Sequence, residues 1–504
     1  MSIPGVEPLP GFQYNGAMEN AAPRGRCVGW PIVPVVFFLI LVAGCGGSAP
    51  RFNLVLIVSD ALRGDITGCY GGPALTPNID WLAEHGVLFE RAYSPSPRTL
   101  PSAVAMLTAQ HASAFPAETE KGHVIKYHVP EGEVLPAEIV RAAGYTLVQH
   151  VENSNASVSN NLQGFEAAPM FGTLTSAQIQ SVRKNSGLIL RGKAYRQLAG
   201  TLHFLLTVPD GQPFFAFKWI LDPHSYYDPP SPFLERIAVD AGRLSRPIPF
   251  YSHAHFGYQW KKNRMFGPEM SEDELEYVKN LYIREVESVD ERVGYLLNAL
   301  RKRKLLDRTF VVFTADHGES FGEGGRYSHG HSYAAELLHV PLILVGPGLP
   351  AGKRLNHPVS LLALMPTLLE LLRIDAGGRE GQRDGFATLL EGGTVAAGPI
   401  YFDGVKSSTP FRDALIVDGY KLVAFRDGRP PRLLVAENDE APPADRSPEL
   451  ARVMKKMLRD LLARRKGVQR RLGDRLARDR TLPGIDGEKR RKILENLRSL
   501  GYLD

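Results

Sequence analysis

Asn53-Leu54-Val55-Leu56-Ile57-Val58-Ser59-Asp60 is the stretch whose reading decides the fold. Its apolar residues run on without alternation, the pattern of a short strand buried on both faces in a parallel sheet. The run stops at a carboxylate, Asp60. A second strand pattern, Thr309-Phe310-Val311-Val312-Phe313-Thr314, also runs into a carboxylate, Asp316. Open α/β sheets place their ligands at the carboxyl ends of core strands, so both acids are candidate site residues. Helical patterns lie between them. Thr76-Pro77-Asn78 offers a cap and an early proline for a helix through Leu82 to Glu84, with Gly86 as its stop. Glu272 to Lys302 is amphipathic, with Leu281, Val286, Val289, Val293, Leu296 and Leu297 at helical spacing. This alternation of strand and helix predicts an α/β sandwich.

Outward from that centre the texture changes. After about residue 375 come Gly-rich turns and short strands such as Ala414-Leu415-Ile416-Val417 and Lys421-Leu422-Val423-Ala424, predicting a smaller C-terminal α+β domain over 376–446. A Lys/Arg-rich helical tail follows over 447–504, read as a solvated face, with contact to anionic lipid or a polyanionic envelope polymer as the alternative. The 504 residues, 44% of them apolar, suffice for one large core and a smaller unit. A net charge of +5 is small for this length, and no aromatic-basic motif accompanies the tail, so no nucleic-acid partner is expected.

At the other end, Arg24 and Arg26 precede an apolar run from Trp30 to Gly44, the order of a signal peptide. The run is shorter than the roughly 20 residues of a membrane span. It closes on Leu41-Val42-Ala43-Gly44-Cys45, similar to the bacterial lipoprotein cleavage box. Residues 1–45 are thus read as a signal peptide with Cys45 lipidated, an uncleaved anchor helix being the alternative. Either way the body is exported, to the cell envelope or periplasm. Cys69 is then the one thiol of the mature body, and with no basic partner adjacent it reads as core filler.

Four stretches carry the chemistry: Asp60 with the following Ala61-Leu62-Arg63-Gly64-Asp65; Pro97-Arg98-Thr99-Leu100-Pro101-Ser102, leading into the apolar helix Ala103–Thr108; Asp316-His317-Gly318-Glu319; and Ser328-His329-Gly330-His331. Thr99 stands at a helix N-terminus, where free amides favour a developing oxyanion, so its hydroxyl is placed as a nucleophile would be. Taken singly, these are common motifs. In this order, together with Thr76-Pro77-Asn78-Ile79-Asp80, Gly86-Val87-Leu88-Phe89, Val340-Pro341-Leu342-Ile343 and the closing Leu500-Gly501-Tyr502, they make the chain resemble the sulfatase family of the alkaline phosphatase superfamily over 51–375. The resemblance implies a three-layer sandwich with a mixed, largely parallel sheet flanked by helices. It also implies metal ligands at Asp60, Asp316 and His317, the nucleophile at Thr99 and a substrate-binding histidine at His224.

Departures from the family pattern direct the chemistry. A sulfatase carries Cys or Ser, matured to formylglycine, with Arg four residues on; here these are Thr99 and Ala103. Threonine cannot become formylglycine, so none is expected. The second acid of the family's Asp-Asp pair is Ala61, and Gln149-His150-Val151-Glu152-Asn153 stands where a lysine-histidine anchor is usual. A threonine sulfate would tend to be a dead end, whereas a phosphothreonine is open to attack at phosphorus. Threonine is also the nucleophile of the related lipoteichoic acid synthases and phosphoethanolamine transferases. The expectation is a hydrolase of sulfate or phosphate esters, with Thr99 as both nucleophile and metal ligand. The metal is one divalent ion, Mn²⁺ or Zn²⁺ ahead of Ca²⁺, lowering the Thr99 pKa and sharing the charge of the ester oxygens. His224, His329 or His331 would handle protons, or the last two would hold a second metal. Expected partners are a sulfated or phosphorylated glycan, lipid or small-molecule ester. The alternatives are a phosphoryl or phosphoethanolamine transferase and a non-catalytic lipoprotein that binds anions.

Overall fold

The computed structural model describes residues 51–120, 123–237, 244, 270–376, 385–395, 398–402, 411–417, 419–425, 429–436 and scattered positions from 452 to 459. The chain divides into two units, Met1–Ala49 and Pro50–Asp504, and every described residue belongs to the second. Cys45, the signal segment and most of the basic tail lie outside the described residues. No described helix is long and apolar enough to cross a membrane.

The main sheet has eight strands: β1 (Asn53–Ser59), β2 (Val87–Phe89), β3 (Thr146–Val151), β4 (Glu166–Ala167), β5 (Phe214–Ile220), β6 (Thr309–Ala315), β7 (Leu342–Val345) and β8 (Lys353–Leu355). Their order across the sheet is β8-β2-β7-β6-β1-β5-β3-β4. β6, β1, β5, β3 and β4 run parallel, and β7 is antiparallel to both neighbours, β6 and β2. Every residue of β1, β5 and β6 is buried, as continuous apolar runs require when helices cover both faces. Each such Leu, Ile, Val or Phe contributes roughly 1.5–3 kcal/mol of transfer free energy, opposed by chain entropy. The expected three-layer α/β architecture is the one observed.

Three helices position the site. Helix α1 (Pro77–Glu84) starts where its sequence predicts, but Thr76 does not cap it: the Thr76 hydroxyl bonds Asp80 at 2.9 Å. The cap is tertiary, since the buried Asp290 carboxylate accepts from the amides of Asn78 and Ile79 at 2.9 and 2.8 Å. Asp290 belongs to α3 (Glu272–Lys302), whose ends match the sequence reading and whose N-terminus is closed by a capping box between Ser271 and Glu274. Helix α2 (Thr99–Thr108) is buried along nearly its whole length, so its N-terminus enters the core at the strand ends. Ser102 Oγ donates to the Asp316 carbonyl at 2.7 Å, and Ser94 Oγ donates to the same oxygen, tying α2 to the end of β6.

Beyond residue 399, β9 (Ile400–Phe402), β10 (Phe411–Val417), β11 (Tyr420–Phe425) and β12 (Arg432–Val435) form an antiparallel sheet in that order. Alternation splits its faces. Phe402, Ala414, Ile416 and Val423 pack with Tyr93, Tyr333 and Leu338 of the main body, while Tyr401, Leu415 and Leu422 pack with Met454 and Leu458. Those last two are four residues apart on the tail's helical start and are buried, while Lys455 and Lys456 are exposed.

Candidate metal centre and nucleophile

The strand register brings the two acids together. Ser59 pairs with both Ala315 and Ile220, so Asp60 and Asp316 are the first residues past adjacent strand ends. Asp60, Asp316 and His317 are fully buried, and their ligand atoms all lie within 4.8 Å of one another. His317 Nε2 is 3.3 Å from Asp316 Oδ2 and 3.8 Å from Asp60 Oδ1. Thr99 Oγ1, at the first position of α2, is 3.1 Å from His317 Nε2 and 3.4 Å from Asp60 Oδ1. All four residues singled out in the sequence therefore meet at one point.

The chemistry of this donor set fits a divalent cation. His317 Nδ1 is 2.9 Å from the Gly318 carbonyl, which can only accept, so Nδ1 carries the proton and Nε2 presents its lone pair to the two acids. Burial holds the His317 pKa down to about 3, which keeps the ring neutral as a ligand must be. Asp316 Oδ1 accepts from the amides of Ala61 and His317 at 3.0 and 2.9 Å, but its buried Oδ2 has no hydrogen-bond donor. Burial first, and the Asp60 charge second, push the Asp316 carboxyl well above the usual carboxylate range. A cation at Oδ2 would remove both penalties. Ala61 takes part through its backbone, held at φ 58°, since its methyl group offers no ligand.

Around this centre lie residues that the sequence reading missed. Asn153 Nδ2 donates to Asp60 Oδ2 at 2.6 Å and Trp219 Nε1 donates to the same atom at 3.0 Å, leaving Oδ1 facing Thr99 and His317. Asn153 comes from the segment that departs from the family's lysine-histidine pattern, just past β3. Beside it, Lys218 Nζ bonds Glu152 at 2.5 Å, and Arg292 Nη2 bonds Asp222 at the same distance, all near the strand ends. Lys218 is charged inside the otherwise apolar Phe214–Ile220, and that oddity was the one sequence cue to a buried ion network.

The three further histidines separate. The His329 ring lies 4.4 Å from that of His317 and 5.0 Å from that of His224, so these two flank the centre. His329 Nδ1 is 3.0 Å from Oε1 of the fully buried Glu319, whose Oε2 accepts from the Tyr227 hydroxyl at 3.1 Å. His224 Nδ1 donates to the Ser225 carbonyl at 2.7 Å. His331 instead bonds the Ser328 carbonyl at 3.1 Å, and its influence on the site is electrostatic, through Glu319 and His329. Among the described residues, Asp60, Asp316 and His317 are the one set of three metal-binding groups that converge; neither His329 nor His331 completes a second. Cys69 is half-buried with its thiol pushed up to about 12 by burial, as inert filler should be.

A family model described as sulfatase matches residues 52–374. Arylsulfatase K of Xenopus laevis is 26% identical over 353 residues, 64% of this chain and 63% of that protein. The chain thus spans somewhat under two thirds of the length of that relative. Among solved structures, the phosphonate monoester hydrolase of Agrobacterium radiobacter superposes with a TM-score of 0.59 at 20% identity, covering 83% of this chain and 96% of that one. A protein solved with its substrate D-glucosamine-2-N,6-O-disulfate superposes with a TM-score of 0.60 at 17% identity, covering 83% and 98%. At these identities the structural likeness concerns the fold.

Proposed function

This chain belongs to the sulfatase family, and from that premise we propose that it is a metal-dependent ester hydrolase in which the Thr99 hydroxyl attacks sulfur or phosphorus. The observation that carries the reading is the convergence of Asp60, Asp316 and His317 on Thr99 Oγ1. These side chains would hold Mn²⁺ or Zn²⁺, with Ca²⁺ the third candidate. A bound divalent ion supplies positive charge that lowers the hydroxyl pKa and neutralises the ester oxygens.

The rest falls to the chain's own groups. Thr99 would pass its proton to His329 or His224 and form a bond to the central atom as the bond to the leaving oxygen breaks. His329, oriented by Glu319, or His224, oriented by the Ser225 carbonyl, then donates a proton to that oxygen. Water would attack the resulting Thr99 ester at the same central atom, passing a proton to the histidine, which delivers it to Thr99 Oγ1 as the ester bond breaks and so restores the hydroxyl. A threonine cannot be matured to formylglycine, which favours phosphate or phosphonate esters over sulfates. An alcohol in place of water would make the enzyme a phosphoryl or phosphoethanolamine transferase. The substrate would be an anionic ester of a glycan, lipid or small molecule, in keeping with the disulfated sugar named for one structural neighbour. Cys45, following Leu41-Val42-Ala43-Gly44, would tether the enzyme to a membrane of the cell envelope; an unmodified Cys45 in the mature protein would remove that part.

Nitrophenyl sulfate, phosphate, phosphonate and phosphodiester, each assayed with added Mn²⁺, Zn²⁺ or Ca²⁺, test the reading, together with trapping of a phosphorylated Thr99 peptide. Protein that binds no stoichiometric metal and turns over none of these esters is a binding lipoprotein instead.

A further inference from the structure

Arg98 is the residue immediately before Thr99 and the N-cap of α2, and it is half-buried. Among the described residues it has no carboxylate and no hydrogen-bond partner. The contrast with other enclosed arginines is sharp: Arg292 meets Asp222 at 2.5 Å, and Arg63 meets Asp65 and Glu323 at 2.8 and 2.7 Å. A half-buried guanidinium without an anion keeps its donors open to one. Burial accordingly lowers the Arg98 pKa, with no carboxylate acting against it.

Its position gives the charge a use. A Cβ built on Gly330 would come within 2.8 Å of Arg98 Cγ, so the absence of a side chain at 330 makes room for the arginine stem beside His329. Arg98 in turn acts electrostatically on His329, whose ring is 4.4 Å from His317. The arginine side chain therefore lies against the His329–Gly330 turn, with Thr99 the next residue along the chain. Ala103, where the resemblance leads one to expect an arginine, is fully buried in the core and leaves that role open.

We propose that Arg98 is the anion-binding residue of this site, its guanidinium taking non-bridging oxygens of the sulfuryl or phosphoryl group that Thr99 attacks. The assignment rests on the ester-hydrolase reading for what the anion is, but not for the binding itself. The probes are inorganic phosphate and inorganic sulfate, titrated calorimetrically into the metal-loaded full-length protein, with KM and kcat measured on whichever nitrophenyl ester is turned over. Arg98→Met keeps the stem against Gly330 and removes the charge. It is expected to bind the oxyanions about 10- to 100-fold more weakly, to raise KM more than it lowers kcat, and to unfold at a temperature no lower than the wild type. Arg98→Lys is expected to recover part of the binding. Wild-type affinity and KM in Arg98→Met overturn the assignment, as does failure of both variants to fold, which would make Arg98 structural. If the wild type binds phosphate through Arg98 yet hydrolyses no ester, the assignment stands and the hydrolase reading falls. If the wild type binds neither oxyanion, the assignment falls.

Discussion

Asn153 donates to Asp60 Oδ2 across 2.6 Å, and this bond between the ends of two strands leaves Oδ1 as the oxygen of Asp60 that faces Thr99. Hydrogen bonds behind a metal ligand commonly change affinity by about 10- to 100-fold. Asn153→Ala should therefore weaken metal binding by that order while the fold survives, as read by chelator competition. Unchanged metal affinity would show that Trp219 alone orients the carboxylate.

Thr99→Ala removes the hydroxyl but none of the three convergent ligands. Turnover should drop by roughly 10³-fold or more, as losses of nucleophiles do, with metal content close to that of the wild type. Thr99→Ser should keep measurable activity. Full activity in the alanine variant would end the assignment.

Removing divalent ions leaves Asp60 and Asp316 side by side without a counter-charge. A chelator should abolish activity and lower the thermal midpoint, and saturating metal should restore both, since a ligand that binds only the folded state stabilises it. A midpoint indifferent to the chelator would argue against an ion at these acids.

The buried pair Lys218–Glu152 gives a stability prediction. Lys218→Met would leave a fully buried carboxylate held only by the Leu221 amide at 3.0 Å and Arg292 at 3.9 Å. Losing one partner of such a pair typically costs about 3–5 kcal/mol, readable as a fall in the denaturant midpoint. Double replacement of Lys218 and Glu152 by apolar residues should recover part of it.

Burial, with Lys218 second, holds His150 down to about 4, and burial, with Arg326 second, does the same for His331. In the unfolded chain both would titrate near their ordinary value of about 6.5. Between those values the unfolded state binds protons at these histidines that the folded state does not, so their contribution to stability falls as pH drops from about 6.5 to 4, opposed by buried carboxyls such as Asp290, which burial pushes up to about 7. Denaturant midpoints at pH 7.5, 5.5 and 4.5 should show wild type losing stability relative to His150→Asn as pH falls; a difference that does not change with pH would show that His150 is not held neutral by the fold.

Much of this protein was legible before any coordinates. Asn53–Ser59 and Thr309–Ala315 announce themselves because a strand buried on both faces must be apolar throughout, and Glu272–Lys302 because a helix with one wet face must repeat at its own period. Asp60, Thr99, Asp316 and His317 stood out because polar groups at the ends of such runs have few uses other than a site.

What the chain order could not reveal is which separate segments complete one another. Asp290 caps a helix more than 200 residues away, Asn153 sets a carboxylate from a different strand, Glu319 aims His329 but not its neighbour His331, and Arg98 is notable only once its missing partner is seen. Hydrogen bonds and charge balance depend on distances through space, and those are fixed by packing rather than by spacing along the backbone.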